Sequence, residues 1–494
     1  MSELSPTRRV ALWIGPIVGI AAIALAHAGL VPFGLTPPAF ATLGVTFWVA
    51  LWWIAECLPL AATSLLPVLL LPVAGVMPAG VVAGTYMDRF ILLMMAGFMA
   101  ALAIERCGLH RRIALGVLVR IGASPRRLVL GMLVATGFIS MWIANTAATL
   151  IMLPIGLALL ARLEPEMPDK AAFARFSAAL VLAIGYAASI GGMGTPLGTP
   201  PNMIYLGAVS KEFGKAPGFL EWMSFALPIV IVMTIFLYFY FVRIARLPPR
   251  DMSGAGHEVL LREKAALGPI SGDEVRVAAI FGLMVVLWVT RQFDLSDGTS
   301  VGWAPLFGLE KFVDDGTVAV LGATLLFLWP SQQQGERLLD WPTARKIPWE
   351  LVILFGGGLA LAKAFEVSGL SDEIAAALGG LQGLPVILMM LLLSLSVAFL
   401  SEVTSNTAVA TILMPILAPF AKASGLGPEV IMLPAALAAS CGFMLPVATP
   451  PNAVVYGTGR IPIDFMVKTG FWLNIVGVCT VTLVLWLYSV ARGL

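Results

Sequence analysis

Ser401-Glu402-Val403-Thr404-Ser405-Asn406-Thr407-Ala408, with Pro415 beyond it, is a stretch rich in hydroxyls and amides inside a long apolar run. A near copy stands in the other half of the chain, Ser140-Met141-Trp142-Ile143-Ala144-Asn145-Thr146-Ala147, with Pro154 beyond it. Polar groups at membrane depth are costly unless they meet one another, an ion or a substrate. Two such stretches at matching places predict one binding site built by both halves.

Membrane depth follows from composition. Of 494 residues, 59% are hydrophobic and 12% charged, and the mean hydropathy is +0.94; a soluble domain carries roughly 25% charged residues. Apolar segments of about 18 residues or more predict an all-α polytopic membrane protein rather than a barrel of alternating strands. A net charge of +2 points to no nucleic acid or other acidic polymer as partner. Cys57, Cys107, Cys441 and Cys479 lie far apart and read as packing residues; His27, His110 and His257 read as single, peripheral surface residues. Arg8-Arg9 precede an apolar run with no convincing cleavage site, so the first transmembrane helix is expected to stay attached.

Moving outward from the two polar stretches, apolar spans are expected over 10–30, 40–55, 61–76 and 90–104. An Arg-rich amphipathic segment follows, from Glu105 to Arg127, and is expected to lie on the cytoplasmic surface. The 127–162 run starts and ends on Arg and is interrupted at 140–149, which fits a re-entrant hairpin opening to the cytoplasm. The 173–208 run is broken by Gly191-Gly192-Met193-Gly194-Thr195-Pro196-Leu197-Gly198-Thr199-Pro200-Pro201-Asn202; no continuous helix survives that density of Gly and Pro. Further spans are expected over 223–241, 275–290, 318–329 and 351–365, then a second interrupted run at 384–420, a second broken helix at 431–456 and a last span at 472–490. Placement of Lys and Arg puts the N-terminus inside and the C-terminus outside.

The halves align at near-constant shifts. Glu105-x-x-Gly108-Leu109 matches Glu366-x-x-Gly369-Leu370, and Asn145-Thr146 matches Asn406-Thr407, both at 261 (366 − 105; 406 − 145). Thr199-Pro200-Pro201-Asn202 matches Thr449-Pro450-Pro451-Asn452 at 250 (452 − 202). One hairpin opens inside and the other outside, so the repeats are inverted, and paired broken helices in inverted repeats point to a secondary transporter with its site near the midplane. An ion channel would keep a continuous pore lined by charges or carbonyls, and an enzyme would need titratable or metal-binding residues clustered at depth; neither pattern is present.

The four interrupted stretches hold no Lys, Arg or His. They offer hydroxyls, Asn amides, freed carbonyls and half-helix N-termini. Carbonyl and amide oxygens suit Na⁺, while hydroxyls, amide NH₂ groups and N-terminal N–H groups suit carboxylates. A divalent anion bound without protein cations calls for cations bound beside it, which predicts Na⁺ coupling. Glu402 is the only ionisable side chain at a tip, and its counterpart is Met141. Glu105 and Glu366, at the ends of matching helices, read as helix-end packing or capping.

On these motifs the chain resembles the divalent anion/sodium symporter family, the INDY-type di- and tricarboxylate and sulfate transporters, which carry Ser-Asn-Thr at each of two hairpin tips. Ser405-Asn406-Thr407 matches in full, whereas the first copy reads Ala144-Asn145-Thr146 and lacks one hydroxyl. The resemblance covers nearly the whole chain. It implies an elevator-type inverted-repeat fold of about 11 transmembrane helices in a homodimer in the inner membrane. Scaffold helices would occupy 1–85 and 275–347, with a cytoplasmic linker at 251–274. A first repeat core would run over 86–250 (hairpin 125–162, broken helix 173–208). A second would run over 348–494 (hairpin 384–421, broken helix 430–458, last helix). It implies about two Na⁺ sites, one near Ser140, Asn145 and Gly194, the other near Ser401, Asn406 and Ala448. The substrate would meet Asn145, Thr146, Thr199, Pro200, Ser405, Asn406, Thr407, Thr449 and Pro450. The expected activity is Na⁺-coupled import of C4-dicarboxylates such as succinate, malate or fumarate. A dicarboxylate exchanger, or a carrier of sulfate or another divalent anion, is the alternative.

Overall fold

The computed structural model describes residues 6–32, 34–167, 169–247, 255–294, 299–377 and 385–492. Helices α1 (Pro6–His27) and α2 (Pro37–Ala55) pack against each other at the N-terminus. The span expected over 61–76 is instead two short helices, α3 (Leu60–Ser64) and α4 (Leu66–Val73), because Pro67 stands in the first turn of α4 and starts a new helix there. After α5 (Ala79–Gly84) comes α6 (Arg89–Cys107), whose N-cap Asp88 accepts a hydrogen bond from Phe90 N at 3.0 Å.

Gly108 ends α6 in the left-handed conformation, φ 79°, and the amphipathic α7 (Leu109–Ile121) starts at once. The same construction recurs 261 residues later. There α18 (Trp349–Ser368) ends on Gly369, φ 77°, and leads into α19 (Leu370–Ala377). In both places the glycine N–H bonds to the carbonyl three residues back, Glu105 and Glu366, at 3.2 and 3.3 Å. The Glu-x-x-Gly-Leu pattern is therefore a helix stop that turns the chain sideways, since only glycine takes this conformation without cost.

Both interrupted runs are pairs of helices. The first is α8 (Pro125–Ser140) and α9 (Asn145–Leu163); α8 opens on Pro125 behind its N-cap Ser124. Next come the halves of the first broken helix, α10 (Lys170–Gly192) and α11 (Pro200–Phe213), then α12 (Phe219–Ile244). From Phe176 to Gly192 every residue of α10 is buried, so it is the central post of the molecule.

The linker expected over 251–274 contains a helix, α13 (Ala255–Ala266); its first residues, 251–254, lie outside the described residues. It leads through a Ser271/Glu274 capping box into α14 (Gly272–Val289). A two-residue ladder, Phe293–Asp294 against Ser300–Val301, a short helix α15 (Trp303–Leu306), α16 (Asp315–Leu328) and α17 (Trp341–Ala344) precede α18. The second hairpin is α20 (Val386–Val403) with α21 (Asn406–Ala423); Leu384, where it was expected to begin, lies outside the described residues. The second broken helix is α22 (Pro428–Ala439) with α23 (Pro450–Tyr456), and α24 (Ile463–Ala491) closes the fold.

Among the described residues, ten helical stretches are long and apolar enough to cross a membrane, close to the eleven or so expected. Packing repeats the sequence symmetry. The first arm of each hairpin lies on its own broken helix, α8 on α10 and α20 on α22. Each second arm also reaches the other repeat, α9 packing on α23 and α21 on α11. By that exchange each hairpin packs on both broken helices.

Candidate functional site

At the first tip the chain leaves α8 at Ser140 and enters α9 at Asn145, whose N-cap Ala144 has no side chain to cap with. Ser140 Oγ donates to Ala188 O at 2.7 Å. The inward end of the Asn145 amide faces three oxygens, Ser140 Oγ at 2.7 Å and Ala188 O and Gly198 O at 3.1 Å each; Nδ2 placed there satisfies all three. A Cβ on Gly192 would lie 2.4 Å from this same inward end of the Asn145 amide, so the tip docks on the unwound segment only because residue 192 is glycine. Thr195 Oγ1 donates to Met141 O and binds the loop to the hairpin. Gly194 lies against the Met141 side chain.

The second tip repeats the plan with different satisfaction. A Cβ on Gly442 would lie 3.2 Å from Ser401 O, 3.3 Å from Asn406 Oδ1 and 3.3 Å from Ala448 Cβ, so these groups surround one point. Ser401 Oγ and Asn406 Oδ1 are buried there with no hydrogen-bond partner. Orphaned buried oxygens are rare because each costs about 1–3 kcal/mol. With Ser401 O and Asn406 Oδ1 both close to Gly442, these open oxygens suit a hard cation.

Asn202 and Asn452 brace the two unwound segments identically. Asn202 Nδ2 donates to Gly192 O (3.0 Å) and Thr195 O (2.8 Å), and Asn452 Nδ2 donates to Gly442 O (3.0 Å) and Leu445 O (3.1 Å). The last residue of each Thr-Pro-Pro-Asn thus takes up carbonyls that the break sets free. Sequence reading singled out the motif but not this role.

Glu402 also has a clear place. Its carboxylate, only 4% exposed, accepts hydrogen bonds from three successive backbone N–H groups, Phe443 (2.7 Å), Met444 (2.8 Å) and Leu445 (3.0 Å), and from Asn474 Nδ2 (2.6 Å). It plugs an anion-binding nest in the second unwound segment. The first segment, facing Met141, has no such plug; there Trp222 Nε1 donates to Met193 O at 3.0 Å.

The remaining predicted residues sit at helix starts. Ala144, Thr199, Ser405 and Thr449 are the N-caps of α9, α11, α21 and α23, and none of these helices has an acidic residue in its first turn. Asn145-Thr146, Pro200, Asn406-Thr407 and Pro450 follow directly in those first turns. Thr146, Pro200, Ser405 and Thr407 are half-buried, Pro450 is exposed, and Thr199, Ala448 and Thr449 are buried. A helix N-terminus with no acidic residue in its first turn favours an anion. Among the described residues no cluster of His, Cys, Asp and Glu could hold a transition metal. His110, expected on the surface, is buried, its Nδ1 3.1 Å from Ile104 O, because the amphipathic α7 turns it inward.

Comparison with known proteins agrees with this architecture. The family model for the sodium:sulfate symporter transmembrane region matches residues 11–491. The sodium-dependent dicarboxylate transporter SdcS of Staphylococcus saprophyticus is 40% identical over 482 residues, 97% of this chain and 90% of that protein. Its namesake in Staphylococcus aureus strain NCTC 8325 is 39% identical over the same coverage. Two solved transporters share the fold at low identity. The Alcanivorax borkumensis YdaH transporter has a TM-score of 0.55 at 16% identity, covering 92% of this chain and 98% of its own. Neisseria gonorrhoeae MtrF has 0.54 at 14%, covering 81% and 82%.

Proposed function

This chain belongs to the sodium:sulfate symporter family, and on that premise we propose that it imports C4-dicarboxylates, such as succinate, malate or fumarate, together with Na⁺. The observation that carries the reading is the second tip, where Ser401 Oγ and Asn406 Oδ1 lie buried and unpartnered beside acid-free helix N-termini. Oxygens without donors suit the cation, and N–H groups without acids suit the carboxylates. The names of the Staphylococcus relatives point the same way.

In this mechanism one Na⁺ binds at Ser140, Asn145 and the carbonyls of the first unwound segment near Gly194. Asn145 turns its amide oxygen inward as the ion arrives. A second Na⁺ binds at Ser401, Asn406 and the carbonyl side of Ala448. The two ions offset the charge of a dianion whose carboxylates meet Thr146, Ser405 and Thr407 and the turns at Thr199-Pro200 and Thr449-Pro450. No Lys or Arg is needed, because cation and anion neutralise each other and release together.

The hairpins and broken helices then move as one body against scaffold helices 1–85 and 275–347, in an elevator motion. Helix α18 packs on α3 and α4, in the first scaffold stretch of this reading, and on α11 and α21, in its moving body. The working unit is a homodimer in the cell's inner membrane, N-terminus cytoplasmic and C-terminus outside. The test is succinate uptake into proteoliposomes: an inward Na⁺ gradient should drive accumulation, and replacing Na⁺ by choline or K⁺ should stop it. Uptake indifferent to Na⁺ but dependent on internal dicarboxylate would mean exchange instead.

A further inference from the structure

The last helix packs on the second unwound segment and reaches Glu402. One face of α24 carries Gly470, Asn474 and Gly477, at helical spacings of four and three, and the two glycines meet the second unwound segment. A Cβ on Gly470 would lie 2.3 Å from Phe443 O, and one on Gly477 would lie 3.1 Å from Cys441 Sγ. Between these two close approaches Asn474, fully buried, donates from Nδ2 to Glu402 at 2.6 Å. The glycines bring the helix near enough for a short side chain to reach the carboxylate.

Every partner that the structure gives Glu402 is a neutral donor, three backbone N–H groups and the Asn474 amide. Among the described residues no Lys or Arg forms an ion pair with it. The titratable groups facing it are Tyr186, on α10, and Cys441, beyond α22. Tyr186 donates its hydroxyl to Phe443 O (2.5 Å) and Met466 O (3.2 Å), and neither group brings positive charge. A buried carboxylate with no counter-charge is costly, and a nearby cation relieves that cost. Its chain neighbour is Ser401, whose Oγ is orphaned, and its nest begins at Phe443, next to Gly442, around which Asn406 Oδ1 and Ala448 lie.

We propose that Asn474 is a positioning residue for the second cation site: it holds the Glu402 carboxylate in the Phe443–Leu445 nest, which sets the oxygens of that site and makes it the tighter of two unequal Na⁺ sites. The inequality follows from the tips themselves, since Met141 replaces Glu402 in the first. This rests on the Na⁺-coupled reading above and adds a residue from the last helix to it.

The test uses the full-length carrier with Asn474→Ala and Asn474→Asp. Two readouts are taken: the Na⁺ dependence of succinate uptake, and the Na⁺ concentration that half-maximally raises the melting temperature without succinate. Asn474→Ala should raise the Na⁺ half-saturation in both by about tenfold, the effect of losing a charge-assisted hydrogen bond. Asn474→Asp puts a second carboxyl against Glu402, and two carboxylates that close share one proton. Its Na⁺ affinity should be near wild type at about pH 5.5, where an Asp O–H replaces the amide donor, and fall at about pH 8.5. The wild type should not show that change. If Asn474→Ala does not fold, the pH profile of Asn474→Asp decides the matter alone. Wild-type Na⁺ half-saturation in Asn474→Ala, or an Asn474→Asp profile parallel to wild type, overturns the role. A wild type indifferent to Na⁺ in both readouts would instead overturn the symport reading itself.

Discussion

Asn406 and Asn145 are the same residue of the repeat in two different states of satisfaction. Asn145 closes on Ser140, Ala188 and Gly198, whereas Asn406 Oδ1 has no partner. Asn406→Ala should therefore abolish succinate uptake while leaving the melting temperature within a few degrees of wild type, because no hydrogen bond through that oxygen is lost. The missing hydroxyl at Ala144 is a testable difference too. Ser405 caps α21 without using its side chain on its own helix, so its hydroxyl is available for ligand. Ala144→Ser should supply the same group at the first tip and tighten succinate or Na⁺ binding by up to about tenfold, read from uptake half-saturation. An unchanged or weaker half-saturation would mean that the first tip does not present residue 144 to ligand. The motif residues themselves were legible in sequence because polar residues stand out in apolar runs. The bracing by Asn202, Asn452 and Asn474 was not, since a hydrogen-bond partner 7 to 72 positions away leaves no local pattern.

Helices and their junctions carry predictions of another kind. The first hairpin lies so close to α10 that a Cβ on Gly191 would fall 2.1 Å from Gly137 O. Gly191→Ala should cost roughly 1–3 kcal/mol through overpacking and be seen as a lower melting temperature in detergent. Helix α7 is bolted to the start of α14. Arg112 reaches Glu274 at 2.7 and 3.0 Å and also bonds the carbonyls of Leu267, Gly268 and Pro269. Burial pushes the Glu274 carboxyl up, but hydrogen bonds from Arg112 and Ser271 outweigh it and hold the group below its usual range. A carboxyl lowered on folding stabilises above its unfolded pKa, about 4.3 for Glu, and that contribution is lost as pH falls through the folded value. Hydrogen exchange at residues 267–275 should thus rise as pH drops below about 4, after correction for intrinsic rates. In Glu274→Gln it should be raised already at neutral pH and change little on acidification. Element boundaries were readable wherever Pro, Gly or a cap marks them. Pro67 marks the split of the expected 61–76 span at Leu65, but inside an unbroken apolar run hydropathy hid it, and the helix inside the 251–274 linker leaves the polar character of its segment unchanged.

For the whole molecule, the proposed elevator motion can be tested where α18 meets α21. Gly358 on α18 faces Thr411 on α21, with its would-be Cβ 3.7 Å from Thr411 Cβ, inside the range of a disulfide. In a background free of Cys57, Cys107, Cys441 and Cys479, Gly358→Cys with Thr411→Cys should cross-link on oxidation. Transport should then stop and return with reductant if α21 slides past α18; full transport by the cross-linked carrier would rule out motion at that contact. Composition and repeat spacing were enough to determine the class of the molecule: an all-α membrane protein, two inverted repeats, two interrupted runs and two broken helices. Those features follow from hydropathy and from Pro and Gly, which act locally. Tertiary structure alone decided which oxygens are satisfied and which are left open. It placed second hairpin arms on the opposite repeat, set Glu402 into a nest 41 residues away and brought Asn474 from the last helix onto it. Such contacts depend on how close two backbones come, and that distance is set by glycines whose neighbours lie far along the chain.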